Sequence, residues 1–257
     1  MSKKPVIAFT VADKNNEKYA QALLNSLRKF HTEEELPLKI IKGEELEGYL
    51  KDDKMFYYRQ KPIIAEPLLK EYELVIGMDC DQIVLGKLDY LLKTKDFDVA
   101  TVLNWNRYDP QRYGFITFQG ILPVEYMNCG LVCMRSEKFV HDWKLLCFTP
   151  QFDRVQYREQ DLLNIMIYYG NWNIRCLDHQ DKIGGNESWW GLIGKLEWSR
   201  AELRGEKIIV PKGFGDTPFP PQDTELKIVH MAGGPVKEQW GKFFSPEIMK
   251  RINYLIT

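Results

Sequence analysis

The sequence carries almost no net charge: 35 Lys and Arg residues face 36 Asp and Glu residues, for a formal charge of −1. No overall basic field is therefore present to hold nucleic acid or an anionic membrane. Zinc-type cysteine spacing is missing too. The five cysteines, Cys80, Cys129, Cys133, Cys147 and Cys176, form no CxxC pair. Cys129 and Cys133 have no His or further Cys nearby to complete a site. All five read as reduced thiols of a cytoplasmic protein. No apolar run reaches the ~18–20 residues of a membrane helix. Lys3 and Lys4 precede an apolar stretch, but it ends at Asp13 without a convincing cleavage site, so it reads as a first strand and not a signal peptide. The stretch that follows, "VADKNNEKY", has no glycine, and hence no Gly-rich phosphate loop. There is no internal repeat, low-complexity tract or clear linker.

Alternating strands and helices fill the first half. "VIAFTVA" (6–12) reads as a buried strand. Between Asn16 and Phe30, Tyr19, Ala22, Leu23, Leu27 and Phe30 recur at helical spacing. Residues 36–43 read as a strand, 62–72 as a helix distorted at Pro67, and 72–78 and 97–103 as strands. Residues 104–124 read as a long loop. Further on come a strand at 130–136, a helix at 137–148 capped by Ser136, and a helix at 158–170 stopped by Gly170. Strands at 173–178 and 226–232 flank a Gly/Trp/Pro-rich region, 179–224. This order predicts an α/β fold with a Rossmann-like sheet, whose ligands sit beyond the strands' C-terminal ends.

At such an end, "YELVIGMDCDQIVLG" runs from an apolar strand into Asp79 and Asp81. In extended backbone residues i and i+2 point the same way, so the two acids face one point and Cys80 the other side. Two close carboxylates repel unless a cation lies between them. Hard oxygen ligands suit Mg²⁺ or Mn²⁺. A solvated acid pair is the competing reading. Two distant segments argue against it. In "KIVHMAGGPVKEQW", His230 ends an apolar strand and offers a third ligand, while Gly233, Gly234 and Lys237 suit an anion. In "EYMNCGLVCMRS", Asn128 and Gly130 present an amide and open backbone to the same cleft.

These motifs resemble the GT-A fold glycosyltransferases, most closely family 8, which includes glycogenin and the lipopolysaccharide galactosyltransferases. "IAFTVADKNNEKYAQALLNSLRKFH", "LVIGMDCDQIVLGKLDYLL", "YMNCGLVCMRS", "REQDLLN" and "HMAGGPVK" follow in the family's order along most of the chain. The resemblance implies one GT-A domain over 1–257, with a nucleotide-binding part of about 1–103 and a sugar and acceptor part of about 104–257. It implies a metal-dependent transfer of a hexose or related sugar from a UDP-sugar to an acceptor hydroxyl, with retention. Asp79, Asp81 and His230 would bind Mn²⁺ or Mg²⁺. Thr10, Val11 and Asp13 would line the nucleotide pocket, and Cys80 the donor site. Arg59 or Lys61 would lie near the donor phosphates or sugar. Asn128 and Gly130 would meet the sugar. Glu159 and Gln160 would sit below its ring, and Gly233 with Lys237 would hold the diphosphate. Glu159 stands where the family has Asp, and one extra residue separates Gly233 from Lys237, with no Pro after it; this sets the chain at the edge of family 8 or in a neighbouring GT-A family.

An inverting enzyme would need a base, for which Glu159, Asp161 or Asp181 are the candidates. The acceptor would be a glycan, a lipid-linked sugar or a protein. Trp189 and Trp190 either stack on acceptor sugars or fill the core, and the loop 104–120 would be a lid or acceptor wall. The rival readings are a GT-A domain that binds or hydrolyses a UDP-sugar without transfer, a sugar nucleotidyltransferase, and a phosphohydrolase.

Overall fold

The computed structural model describes residues 2–103, 126–152, 155, 158–177, 189–192, 200–211, 223–231 and 244–257. The buried apolar run at the N-terminus forms β1 (Lys4–Val11), and helix α1 (Glu17–Arg28) follows. Helix α1 buries Ala20, Leu23 and Leu27 on one stripe. Next come β2 (Leu38–Ile41), α2 (Gly43–Asp52), α3 (Gln60–Glu71) and β3 (Tyr72–Met78). Pro67 lies inside α3, and the helix runs on past it. Then follow β4 (Gln82–Val84), α4 (Asp89–Lys93), β5 (Val99–Leu103) and β6 (Met127–Met134). The second half holds α5 (Glu137–Cys147), α6 (Glu159–Tyr169), β7 (Ile174–Cys176), β8 (Trp189–Leu192), β9 (Glu202–Arg204), β10 (Lys207–Val210), β11 (Thr224–His230) and α7 (Pro246–Ile256).

The central sheet has six strands in the order β2-β1-β3-β6-β5-β7. Strands β2, β1 and β3 are mutually parallel, β6 alone runs the other way, and β5 and β7 are parallel to each other. This is the mostly parallel sheet expected from the sequence. A second sheet, β4-β11-β10-β9 with β8 also on β11, stands at the end of β3. The chain leaves the first sheet at Met78 and enters the second at Gln82, and only three residues bridge them.

The core runs through both sheets and includes Phe9, Leu23, Ile76, Val132, Phe139, Trp143 and Val229, all buried. The indole of Trp143 in α5 donates to the Glu159 carbonyl at 3.0 Å and ties the two helices together. The Ser136 hydroxyl caps α5 by accepting from the Phe139 amide. Gly170 does end α6, but in extended backbone and not in the left-handed form a glycine stop implies. Its reason is space: a Cβ there would stand 2.1 Å from Nε1 of Trp172. All five cysteines are free thiols. Among the described residues no helix is long and apolar enough to cross a membrane.

Candidate functional site

Beyond the C-terminal ends of parallel neighbours β1 and β3 lies a cavity of about 280 Å³. Phe9 and Val11 from β1, Asp13 and Asn16 after it, Tyr57 from the turn before α3, Gln60 and Lys61 from the start of α3, and Met78 to Asp81 line it. Phe9 and Val11 face it because alternate strand residues share a side. Thr10 faces away, fully buried, its hydroxyl without a hydrogen-bond partner among the described residues. Asp13 Oδ1 accepts from the amides of Asn15 and Asn16 and from Asn16 Nδ2, at 2.8 to 3.0 Å, which shapes the turn into α1.

Asp79, Cys80 and Asp81 do not continue the strand. They form the turn between β3 and β4, and all three residues line the cavity. Strand alternation ends with the strand at Met78, and Cys80 lines the cavity together with both acids. The two acids still converge, and His230 joins them from the end of β11. His230 pairs in register with Gln82. Its Nε2 lies 3.0 Å from Asp81 Oδ1 and 3.5 Å from Asp79 Oδ2. One ligand atom from each of the three lies within 4.8 Å of the others. Two carboxylates and an imidazole suit a divalent cation by their chemistry. Space and backbone also fit. The Met231 amide donates to the Asp81 carbonyl at 2.9 Å, and the Asp79 amide to the Gly130 carbonyl at 2.8 Å. Gln82 Nε2 donates to that same carbonyl. A Cβ on Gly130 would stand 2.6 Å from the His230 ring, so the glycine leaves the imidazole its place.

Of Arg59 and Lys61, it is Lys61 that reaches the acids. Its stem passes over Gly77, whose absent Cβ would lie 3.6 Å from Lys61 Cδ. Its ammonium meets Asp79 Oδ1 at 2.6 Å and Glu159 Oε1 at 3.3 Å. Burial by itself would lower the pKa of this ammonium, but the carboxylates of Asp79 and Glu159 outweigh it and hold it well above the ordinary value. Burial raises the Glu159 carboxyl, and Lys61 opposes the rise. The guanidinium of Arg59 stands over Phe148 and 3.6 Å from Asp53.

Asn128, Glu159, Gln160 and Asp161 do not line this cavity; hydrogen bonds hold them where β6 meets α6. Asn128 Oδ1 accepts from the Gly130 amide at 2.6 Å. Gln160 Oε1 accepts from the Cys129 amide, and its Nε2 donates to the Tyr126 hydroxyl. That hydroxyl donates to Asp161 Oδ1 at 2.8 Å in a buried pair. Asn164 bonds both backbone groups of Met127, locking α6 on β6. Gly233, Lys237, Asp181, the loop 104–120 and the side chains of Trp189 and Trp190 lie outside the described residues. Asn16, Tyr57 and Gln60 line the cavity with no sequence signal beyond their nearness to it, since each is an ordinary turn or helix-start residue.

No family model and no curated protein matches the sequence. Solved structures do. The WbbM bifunctional glycosyltransferase is similar at 14% identity and a TM-score of 0.55, over 91% of this chain. The chain spans 47% of that protein's length, about half. The galactosyltransferase LgtC, solved with donor and acceptor sugar analogues, is similar at 15% identity and a TM-score of 0.53, over 95% of this chain and 99% of LgtC. A glycosyltransferase involved in glycosylation of the major capsid of PBCV-1 shares 12% identity and a TM-score of 0.55, over 92% of this chain and 98% of its own. These likenesses give the chain the GT-A glycosyltransferase fold, with family 8-like neighbours.

Proposed function

We propose that the chain is a glycosyltransferase that moves a hexose or related sugar from a UDP-sugar to an acceptor hydroxyl, with retention. One observation carries the reading: Asp79, Asp81 and His230 bring three ligand atoms within 4.8 Å of one another at the rim of the cavity beyond β1 and β3. In a GT-A fold that is where a nucleoside diphosphate and its cation belong. Asp79, Asp81 and His230 would hold Mn²⁺ or Mg²⁺, which when bound neutralises charge on the leaving diphosphate.

The chain's own residues do the rest. Val11 and Asp13 receive the nucleoside; the bonds to Asp13 use Oδ1, which leaves Oδ2 for a ligand. Thr10 supports the strand from behind. Lys61 neutralises Asp79 and Glu159 and sets a positive charge beside the phosphates. Cys80, Asn128 and Gly130 border the donor, and Glu159 and Gln160 lie below the sugar. Gly233 and Lys237 belong to the same reading as diphosphate contacts, and the division into a nucleotide part (about 1–103) and a sugar and acceptor part (about 104–257) goes with it. In the transfer the anomeric C–O bond to the β-phosphate breaks, and its electron pair leaves with UDP. The acceptor oxygen bonds the anomeric carbon and gives its proton to the departing diphosphate. Asp161 is already bonded to Tyr126 and buried, which disfavours it as a base.

The test is UDP release from a panel of UDP-sugars with Mn²⁺, with and without sugar acceptors, on wild type and Asp81→Ala. Acceptor-dependent release that vanishes in the variant is expected. Release by Asp81→Ala at the wild-type rate would refute the assignment. NMR of the anomeric proton in fresh product checks retention.

A further inference from the structure

A second cavity, of about 380 Å³, lies between the β9–β10 turn, β11, the residues after β4, and α7. It shares no lining residue with the first. Glu225 and Lys227 face it from β11. Its charged lining is Lys87, Lys207, Lys227 and Arg251 against Asp89, Glu206 and Glu225, four cations to three acids.

The acids are already spent. Glu225 alone serves two ammoniums, Lys227 at 2.6 Å and Lys207 at 2.8 Å. Asp89 pairs with Lys93, which is not part of the lining, and Glu206 pairs with Arg251 at 3.3 Å. Three of the cations, Lys227, Arg251 and Lys87, keep donors to spare among the described residues. The side chain of Lys227 is 8% exposed, yet its ammonium makes one hydrogen bond among the described residues. An ammonium has three N–H groups to satisfy. Among the described residues Nε of Arg251 is buried without a partner and Lys87, which is exposed, makes no ion pair. Gly86 keeps the room open: a Cβ there would stand 3.2 Å from Lys227 Nζ. Buried donors left in this state cost stability unless a ligand meets them.

We infer that this cavity binds a small phosphate-bearing molecule. A phosphate monoester offers three strong acceptor oxygens and close to two negative charges, which matches the Lys227 ammonium, the Arg251 guanidinium and the outer Lys87 better than the two oxygens of a carboxylate do. The cavity is larger than a phosphate, and Phe30 and Leu85 add an apolar wall for an attached group. The site is separate from the donor site and would exist whether or not the chain transfers sugar.

Isothermal titration calorimetry on the whole chain with EDTA present tests it, using inorganic phosphate in one arm and glucose 6-phosphate in the other. Saturable binding of either supports the proposal; the tighter of the two identifies the source of the phosphate. Binding should weaken about tenfold in Lys227→Met and about threefold in Lys87→Gln, and persist in Asp81→Asn. No saturable heat at millimolar ligand, equal affinity in wild type and both lysine variants, or loss of binding in Asp81→Asn overturns it. If Lys227→Met does not fold, Lys87→Gln, whose residue is exposed, decides alone.

Discussion

Gly130 and His230 touch across the junction of the two sheets, and there is no room for a methyl group between them. A Cβ on Gly130 would also stand 2.8 Å from Asn128 Oδ1. Gly130→Ala must therefore push the imidazole or the strand aside. Overpacking of this kind costs about 1–3 kcal/mol, which thermal unfolding reads. The second readout is Mn²⁺ affinity by electron paramagnetic resonance, expected to fall about tenfold or more, as displacing ligand-orienting groups does. Unchanged affinity would mean that His230 is not a ligand.

Lys61 lies between two carboxylates in a nearly dry place. Lys61→Met would leave Glu159 buried beside Asp79 with no counter-charge. Removing one partner of a buried pair costs about 3–5 kcal/mol. Glu159→Gln in the same chain should restore part of that loss, because the uncompensated charge goes with it. A double-mutant cycle by denaturant unfolding measures the coupling. Additive effects would show that the Lys61–Glu159 contact carries no energy.

The acid pair was legible because an apolar run such as Leu74 to Met78 rarely ends on two carboxylates without cause, and His230 because it ends a second such run. That the two acids sit in a turn and not in the strand was not legible, since nothing in composition marks Met78 as the last extended residue. The link from Lys61 to Glu159 was beyond reach: it spans 98 positions and depends on how α3 meets α6. Helix α2 also gave little sign of itself, because only Leu46 of its ten residues is buried. Gly170 was read correctly as a boundary but for the wrong reason, which only the position of Trp172 supplies.

Metal and nucleotide should stabilise the fold together. A ligand at one hundred times its dissociation constant adds about 2.7 kcal/mol. Wild type should melt higher with Mn²⁺ and UDP than with either alone, and EDTA should cancel the gain. Asp79→Asn should show neither effect. An equal shift with UDP and EDTA would mean that the nucleotide binds without a cation, contrary to the role given to Asp79 and Asp81.

His31 should make stability sensitive to mild acid. It is 3% exposed, and its Nε2 accepts from the Leu88 amide at 2.9 Å, so the neutral ring is the form built into the fold. Burial lowers its pKa; Asp89 and Glu35 oppose that, while Lys87 and Arg28 add to it. In the unfolded chain the ring titrates near ~6.5. Below that pH the unfolded chain binds a proton that the native protein refuses. Stability is therefore full above ~6.5, falls as pH drops, and levels off below the native pKa, with a slope of at most about 1.4 kcal/mol per pH unit for one proton. His31→Gln keeps an acceptor for Leu88 but cannot titrate. The difference in unfolding free energy between wild type and His31→Gln should shrink or change sign as the pH falls from about 7 to about 5. A difference that stays constant over that range would show that His31 takes up its proton as readily in the fold as out of it.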